Sequence, residues 1–433
     1  MTHNSLSASA TPAEAVTPPI ESPRADLLGL APEALSAWLA ERGQPAFRAR
    51  QVLDWIYRSL VGDFDHMANL PLALRERLAA EATIAGPRPR RELASRDGRT
   101  RKVLLELGDG RLIESVLMLY PASAEGRARA SVCVSTQAGC AYGCTFCATG
   151  QMGFDRHLNP GEIVAQVLHF ARALRAAPWT APDGQTLDHI TNVVLMGMGE
   201  PLHNYDNVLA AVRLLTDPAA LNLGARHITL STVGLVPGIL RLAEEPLQIN
   251  LAISLHAPNN ALRLRTMPVT KKYPIEDVLA ACQTYTARTN RQVTFEYVLL
   301  AGVNDAPDMA RELARLLAPL RPLCHVNLIP VNATAADYHP PSGAAIRAFR
   351  EALRAGGVSN SVRAERGDDI AAACGQLHTR ETRERNAAAR EESQVNAHLA
   401  PSNLSEDHST PISSQSMRAD HMVAESNGPS NPD

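Results

Sequence analysis

From residue 130 onward, segments typical of β-strands alternate with segments typical of amphipathic helices. The strand-like runs cover residues 130–136, 190–196, 227–231, 249–254, 293–300 and 325–330. Helical patterns follow them, near residues 160–176, 204–215, 236–244, 274–286, 308–318 and 343–355. Such alternation predicts a parallel sheet with right-handed crossovers. Six units predict an α/β fold, a partial (β/α)6 barrel, whose chemistry gathers where the strands end.

Shorter segments of the 433-residue chain surround this barrel. Residues 1–22 and 381–433 predict disordered tails, of which the second is acidic. Residues 23–86 predict a small helical domain, with helices that start near Pro32, Ala46 and Pro71. Residues 87–129 predict a basic linker and a β extension, in which a turn at residues 108–110 joins two strands. The barrel and the loop that follows it occupy residues 130–380.

Composition limits the class of protein. No apolar run is long enough to span a bilayer, and residues 1–22 lack the basic and apolar regions of a secretory signal. Seven cysteines, four of them within residues 133–147, do not match a secreted disulfide framework. We therefore expect a cytoplasmic protein with no membrane partner, and we expect a monomer.

The net charge of −3 hides a basic folded part. The two tails carry −2 and −5, which leaves +4 on residues 23–380. Seven positive charges fall within fifteen residues, namely Arg88, Arg90, Arg91, Arg96, Arg99, Arg101 and Lys102. Such a stretch can grip a phosphate backbone, and it can equally be a solvated face of the fold.

Three thiols lie within eight residues after the first barrel strand, at Cys140, Cys144 and Cys147. Thiolates are soft ligands, and three on one loop typically hold an iron–sulfur cluster or zinc. A cubic four-iron cluster has four corners, so three cysteines leave one iron open. That iron can chelate the amine and carboxylate of S-adenosylmethionine (SAM). The alternative is a structural zinc site completed by Cys133 or His157, although such sites usually use two paired knuckles.

Small polar residues follow the other predicted strands. Glu200 comes after Gly197-Met198-Gly199 at the end of the second strand, where a carboxylate can accept from an ammonium group. The third, fourth and sixth strands lead into Ser231, into Ser254-Leu255-His256 and into Asn332. Each of these residues could contact SAM, and each could instead be a turn or cap residue. For Glu200 the alternative is a solvated acid at a helix start.

Two further cysteines stand apart from the rest. Cys133 lies on the first barrel strand, and Cys374 lies in a late loop next to Gly375. A cysteine beside glycine in such a loop is poorly suited to a core. Cys282 and Cys324, on a helix face and before a strand, are predicted to be packing residues.

Taken together, residues 24–380 closely resemble the RlmN-type RNA adenine-C2 methyltransferases, which are relatives of Cfr. The resemblance rests on Gln-Ala-Gly-Cys140-x3-Cys144-x2-Cys147, Gly-Met-Gly-Glu200-Pro, Ser254-Leu-His256-Ala-Pro and Gly-Asp-Asp-x4-Cys374-Gly-Gln-Leu. The last motif is the most diagnostic, because other radical-SAM enzymes lack it. The tail after residue 380 matches nothing in the family.

The resemblance implies a radical-SAM enzyme with a [4Fe-4S] cluster on Cys140, Cys144 and Cys147. It implies that Cys374 takes a methyl group from one SAM molecule. A 5′-deoxyadenosyl radical from a second SAM then removes a hydrogen, and the methylene adds to C2 of adenine. Cys133 resolves the adduct through a disulfide with Cys374, and Glu114 accepts a proton. The implied SAM pocket contains Gly199, Glu200, Ser231, Ser254, Leu255, His256 and Asn332.

The implied substrates are an adenosine in the peptidyl-transferase centre of 23S rRNA and the adenosine next to the anticodon in certain tRNAs. The implied electron donor is an external, flavodoxin-like protein. Three alternatives stay open. They are a Cfr-like enzyme that methylates C8 of the same rRNA adenine, a radical-SAM enzyme with another substrate, and a non-catalytic, zinc-bound RNA-binding module. Glu114 could also be a surface acid on a sheet.

Overall fold

The structure, a computed structural model, describes residues 24–123, 126–332, 337–363, 366–373, 376 and 377. Its N-terminal part contains β1 (Ala25–Asp26), α1 (Pro32–Ala40), α2 (Phe47–Leu53), α3 (Leu72–Glu81) and β2 (Ala82–Thr83). Pro32 starts α1, where the N–H that proline lacks has no helical partner to lose. Leu35, Val52 and Leu78 are buried, one from each helix. The three predicted helices are confirmed.

Three antiparallel strands extend the sheet beyond the barrel. They are β3 (Arg88–Ala94), β4 (Thr100–Glu106) and β5 (Leu112–Tyr120). The predicted hairpin is confirmed by the pairing of β4 with β5. The strand β3 is not evident in the sequence, because its pattern is charged and six of its seven residues are exposed. Charges on such an edge strand discourage pairing with another chain.

The barrel begins at residue 129. Its elements are β6 (Arg129–Cys133), β7 (Gln137–Gly139), α4 (Ala148–Met152), β8 (Phe154–His157), α5 (Pro160–Ala176), β9 (Trp179–Thr180), β10 (Thr186–Leu187), β11 (Asn192–Leu195), α6 (Tyr205–Thr216), β12 (Ile228–Thr232), α7 (Val236–Leu242), β13 (Asn250–Ser254), α8 (Asn260–Thr266), α9 (Ile275–Thr289), β14 (Val293–Leu299), α10 (Pro307–Leu316), β15 (Cys324–Pro330), α11 (Gly343–Ala355) and β16 (Ser359–Val362).

The described residues place the strands of this sheet in the order β16-β15-β14-β13-β12-β11-β6-β5-β4-β3. Neighbouring strands from β6 to β16 are parallel, and β5 joins β6 in antiparallel register. The predicted barrel of strand–helix units is confirmed, with β16 as an additional parallel strand. That strand is short and polar, so its sequence does not have the apolar pattern of the others. The carboxyl ends of the parallel strands meet at one edge of the sheet.

The central strands are buried on both faces, as expected where helices cover a parallel sheet. Leu251 and Ile253 of β13 and Phe295 of β14 have no exposed surface. Cys282 and Cys324 are also buried, which confirms them as packing residues. Among the described residues, none of the helices combines the length and apolar character that crossing a membrane requires.

Candidate active site

One cavity opens where the barrel strands end. It is lined by Cys140, Cys144 and Cys147 from the loop between β7 and α4. Most of the residues predicted at strand ends share the same cavity, namely Gly199, Glu200, Ser231, Ser254, His256 and Asn332. Leu255 does not line it, because its side chain is fully buried in the core.

The cysteine loop is fixed by its backbone. The N–H groups of Cys140 and Thr145 donate to the carbonyls of Gly153 (2.8 Å) and Thr266 (3.0 Å). Burial raises the pKa of the Cys140 thiol to about 12 and that of Cys144 well above its usual value, and the neighbouring thiols add to both shifts. Without a metal, these side chains are therefore neutral thiols, and metal binding would release their protons.

The zinc alternative requires a fourth ligand near the three thiols. His157 instead contacts the Gln137 amide at 3.0 Å, and Cys133 does not line the cavity. In the part of the chain that the structure describes, no three His, Cys, Asp or Glu side chains could together hold a metal ion. A cubic cluster makes a different demand, because its cysteines bind separate irons and are spaced more widely than the ligands of one ion. The described donor set fits the cluster better than zinc.

Glu200 is buried at the floor of the cavity. Its carboxylate accepts from the N–H of Leu202 (2.9 Å) and from the N–H of Val233 (2.8 Å). Burial raises the pKa of Glu200 to about 7, against the lowering effect of these hydrogen bonds. Glu200 does start a short 3-10 helix, as its alternative predicted, but it is buried and not solvated. An arriving ammonium group would favour the ionised carboxylate and bind to it.

The two glycines before Glu200 serve the packing of the chain as well as the cavity. Gly199 has φ +103°, and a Cβ there would lie 2.6 Å from the Gln137 side chain. A Cβ on Gly197 would lie 2.6 Å from the Val134 carbonyl oxygen. These positions need glycine because the end of β11 lies directly against residues 134–137.

His256 presents a neutral imidazole to the cavity. Burial lowers its pKa to about 3. Its Nδ1 accepts from the Val298 N–H at 2.9 Å, so the proton is on Nε2, which can donate. The Phe146 ring meets the imidazole edge to face, with 4.8 Å between the ring centroids. The cysteine loop and the end of β13 are thereby in direct contact.

Three further charged residues belong to this region. Glu296 and Arg363 line the cavity, and Asn327 donates to the Glu296 carboxylate at 2.9 Å. Arg263 does not line the cavity, and its guanidinium donates to the Val233 carbonyl at 2.6 Å. The sequence signal for Glu296 is a single charged residue inside a mostly apolar strand. Arg263 and Arg363 have no comparable signal, because arginine is common throughout this chain.

A second group of predicted residues lies on β5 and β6, outside the cavity lining. Glu114 is fully buried, so the alternative of a surface acid is wrong. Val116 pairs with Cys133 across the two strands, and Glu114 lies two residues away on the same face. The ammonium of Lys102 lies 3.5 Å from the Glu114 carboxylate. Lys102 belongs to the basic stretch that could grip a phosphate backbone or form a solvated face, and its burial excludes it from both roles.

Cys374 lies outside the described residues, but residues on both sides of it are described. The Ala373 N–H donates to the Gln376 side chain at 3.1 Å, and Gln376 donates to Asp368 at 2.7 Å. The Leu377 carbonyl accepts from the Thr149 hydroxyl of α4 at 2.8 Å. The late loop thus reaches the helix that follows the three cysteines.

Two family profiles match the chain. Residues 25–84 match the ribosomal RNA large subunit methyltransferase N-terminal domain, and residues 134–317 match the radical SAM superfamily. The first match covers the helical unit and the second covers most of the barrel.

Relatives match most of the chain. A protein of Chloroflexus aurantiacus described as a probable dual-specificity RNA methyltransferase RlmN is 51% identical over 80% of this chain and 89% of its own. The ribosomal RNA large subunit methyltransferase N of Nitrosopumilus maritimus is 47% identical over 82% of this chain and 98% of its own. A crystal structure of a radical SAM methyltransferase from Sphaerobacter thermophilus superposes with a TM-score of 0.76 and 50% identity. It covers 82% of this chain and 99% of the other.

Proposed function

Since this chain belongs to the RlmN family of dual-specificity RNA methyltransferases, within the radical SAM superfamily, we propose that it methylates C2 of adenine. The proposed substrates are the peptidyl-transferase adenosine of 23S rRNA and the adenosine next to the anticodon in tRNA. The proposal rests on the contacts of the late loop, which contains Cys374. Its described residues hydrogen-bond both to α4, beside the cluster loop, and to Lys102, beside Glu114.

The residues of the cavity suit the cofactors of the superfamily. Cys140, Cys144 and Cys147 would hold the [4Fe-4S] cluster, and Glu200 would receive the amino group of SAM. Glu200 is able to do so because it is buried and already oriented by two backbone N–H groups. When bound, cluster and SAM would supply one-electron chemistry that removes a hydrogen atom, with the electron coming from an external, flavodoxin-like donor.

The proposed route assigns one role to each remaining residue. The Cys374 thiolate takes a methyl group from SAM, and after loss of a hydrogen atom the methylene forms a bond to C2. Glu114 accepts the proton from C2. The Cys133 thiol loses its proton and bonds to the Cys374 sulfur, and the released carbon takes up a proton to become the methyl product. Overall, the 5′-deoxyadenosyl fragment would carry away one hydrogen atom, the cluster would accept one electron, one proton would leave, and the two thiols would become a disulfide.

Mass spectrometry of the Cys374 peptide tests this route. We expect a methyl group on that sulfur in protein produced with its cluster, because the thioether must exist before RNA binds. Nucleoside analysis of treated RNA should give 2-methyladenosine. An unmodified Cys374 in active enzyme contradicts the two-SAM route, and 8-methyladenosine as the product contradicts the assignment of C2.

We further propose that exposed arginines of β3 contact the RNA backbone. Arg90 and Arg101 form ion pairs with Glu106 and Glu92, whereas Arg88 and Arg91 are exposed along the edge strand. Exposed guanidinium groups in a row can follow successive phosphates.

Arg88→Glu combined with Arg91→Glu should therefore weaken RNA binding about tenfold or more. The slope of log K against log salt should flatten by about 0.7–0.9 for each lost phosphate contact. Binding titrations at several salt concentrations measure both effects. The control carries the same charge change on the barrel helices, as Arg315→Glu with Arg347→Glu, and should bind RNA normally. Equal weakening in both variants would show that only net charge matters.

A further inference from the structure

The chain contains three lysines, and Lys102 is the one that the fold buries. Its side chain is 4% exposed, and the Glu114 side chain beside it is fully buried. The ammonium lies 3.5 Å from the Glu114 carboxylate and donates to the Ala371 carbonyl at 2.9 Å. It therefore contacts both the sheet and the loop that leads to Cys374.

The sheet register brings Lys102 to the same face as two candidate catalytic residues. Lys102 on β4 pairs with Val116 on β5, and Val116 pairs with Cys133 on β6. Lys102 and Cys133 are thus in one row, two strand spacings or about 10 Å apart. Glu114 lies two residues from Val116, on the face that Lys102 shares.

A buried ammonium is costly unless a counter-charge and hydrogen bonds compensate for its lost hydration. Leu104, which lies two residues further along β4 on the same face as Lys102, is apolar and buried. If packing were the sole requirement at this position, an apolar residue of similar length, such as methionine, would meet it. The charge of Lys102 therefore indicates that this residue acts on the Glu114 carboxylate, which it faces.

We propose that Lys102 is a positioning residue for the methyl-transfer reaction, an inference that rests on the proposed function. Its ammonium keeps the Glu114 carboxylate ionised and oriented to accept the C2 proton. Its hydrogen bond to the Ala371 carbonyl holds the ammonium in front of that carboxylate. In this step one proton moves from C2 to a Glu114 oxygen, and Lys102 keeps its own proton throughout. Without the ammonium, Glu114 would stay protonated in its buried site, and the protein–RNA adduct would persist.

The test uses full-length, cluster-containing protein with Lys102→Met, Lys102→Arg and, as an exposed control, Lys271→Met. Four quantities are measured: methyl on Cys374, 5′-deoxyadenosine, covalent RNA–protein adduct on denaturing gels, and methylated adenine. For Lys102→Met we expect about a hundredfold less methylated adenine, the scale of losing a positioned proton acceptor, and accumulation of the adduct. Methyl on Cys374 and 5′-deoxyadenosine should stay near the wild-type level. Lys102→Arg should restore turnover, and Lys271→Met should match wild type.

Other results would overturn the assignment. If Lys102→Met loses Cys374 methylation together with every later step, the residue has only a structural role. If Lys102→Met turns over normally, Lys102 has no role in the reaction.

Should the Lys102→Met variant fail to fold, Lys102→Met combined with Glu114→Gln removes both charges, so that neither is buried alone. The double variant should then fold and accumulate adduct, and normal turnover in it would refute the proposal. A wild-type enzyme with neither methyl on Cys374 nor adduct refutes the proposed function itself.

Discussion

Cys144→Ser is expected to remove the proposed iron–sulfur cluster and abolish the proposed cleavage of SAM. Cys144 is buried in the middle of the three-cysteine loop, and its carbonyl accepts from the Cys147 N–H at 3.1 Å. A serine hydroxyl is a harder and far less acidic ligand than a thiol, so it does not replace the thiolate on iron. The formation of 5′-deoxyadenosine should fall at least about a thousandfold, because the cluster would supply the electron that cleaves SAM. The iron and sulfide content per chain measures the loss of the cluster directly.

Cys282→Ser is the matched control for this prediction. Cys282 is equally buried, on α9, but lies outside the cavity, and burial raises its pKa to about 12. The change places a hydroxyl in an apolar site at a cost of about 1–3 kcal/mol in stability, and the iron content should stay normal. If Cys144→Ser retained its iron while Cys282→Ser lost it, the assignment of the cluster to the Cys140–Cys147 loop would be wrong.

The parts that were predictable from the sequence depend on local patterns. Strand–helix alternation predicts the barrel, and the spacing of Cys140, Cys144 and Cys147 predicts one loop with three soft ligands. The rule that parallel strands end at one edge brings Glu200 and His256 to those thiols. Each of these signals lies within a short stretch of sequence, so no knowledge of contacts between distant segments is needed.

The parts that were not predictable depend on contacts between distant segments. Lys102 appears in the sequence as one of a run of exposed basic residues, and only the pairing of β4 with β5 shows that it faces Glu114. The polar sequence of β16 carries no strand pattern, although β15 recruits it into the sheet. The sequence indicates that Glu200 starts a helix, but not that its second hydrogen bond comes from Val233, a residue at the end of the next strand.

Arg263 shows how large such an unpredicted contribution can be. This arginine of α8 is fully buried, and its guanidinium donates to the carbonyls of Val233 (2.6 Å), Tyr273 (3.1 Å), Ser254 (3.3 Å) and Leu255 (3.3 Å). Burial lowers its pKa to about 10, so it remains protonated near neutral pH. One side chain thereby connects the ends of β12 and β13, which line the cavity.

Arg263→Met should therefore destabilise the protein by about 3–5 kcal/mol, because several buried carbonyl groups lose their donors at once. The midpoint of thermal unfolding should fall by several degrees, and binding of SAM should weaken because the ends of β12 and β13 are no longer connected. Arg263→Lys should rescue little, since an ammonium cannot reproduce the planar array of donors. Arg315→Met, an exposed change on α10, should stay within about 0.5 kcal/mol of the wild type. A normal unfolding midpoint in Arg263→Met would mean that water or neighbouring groups satisfy those carbonyls, and that the cavity does not depend on this connection.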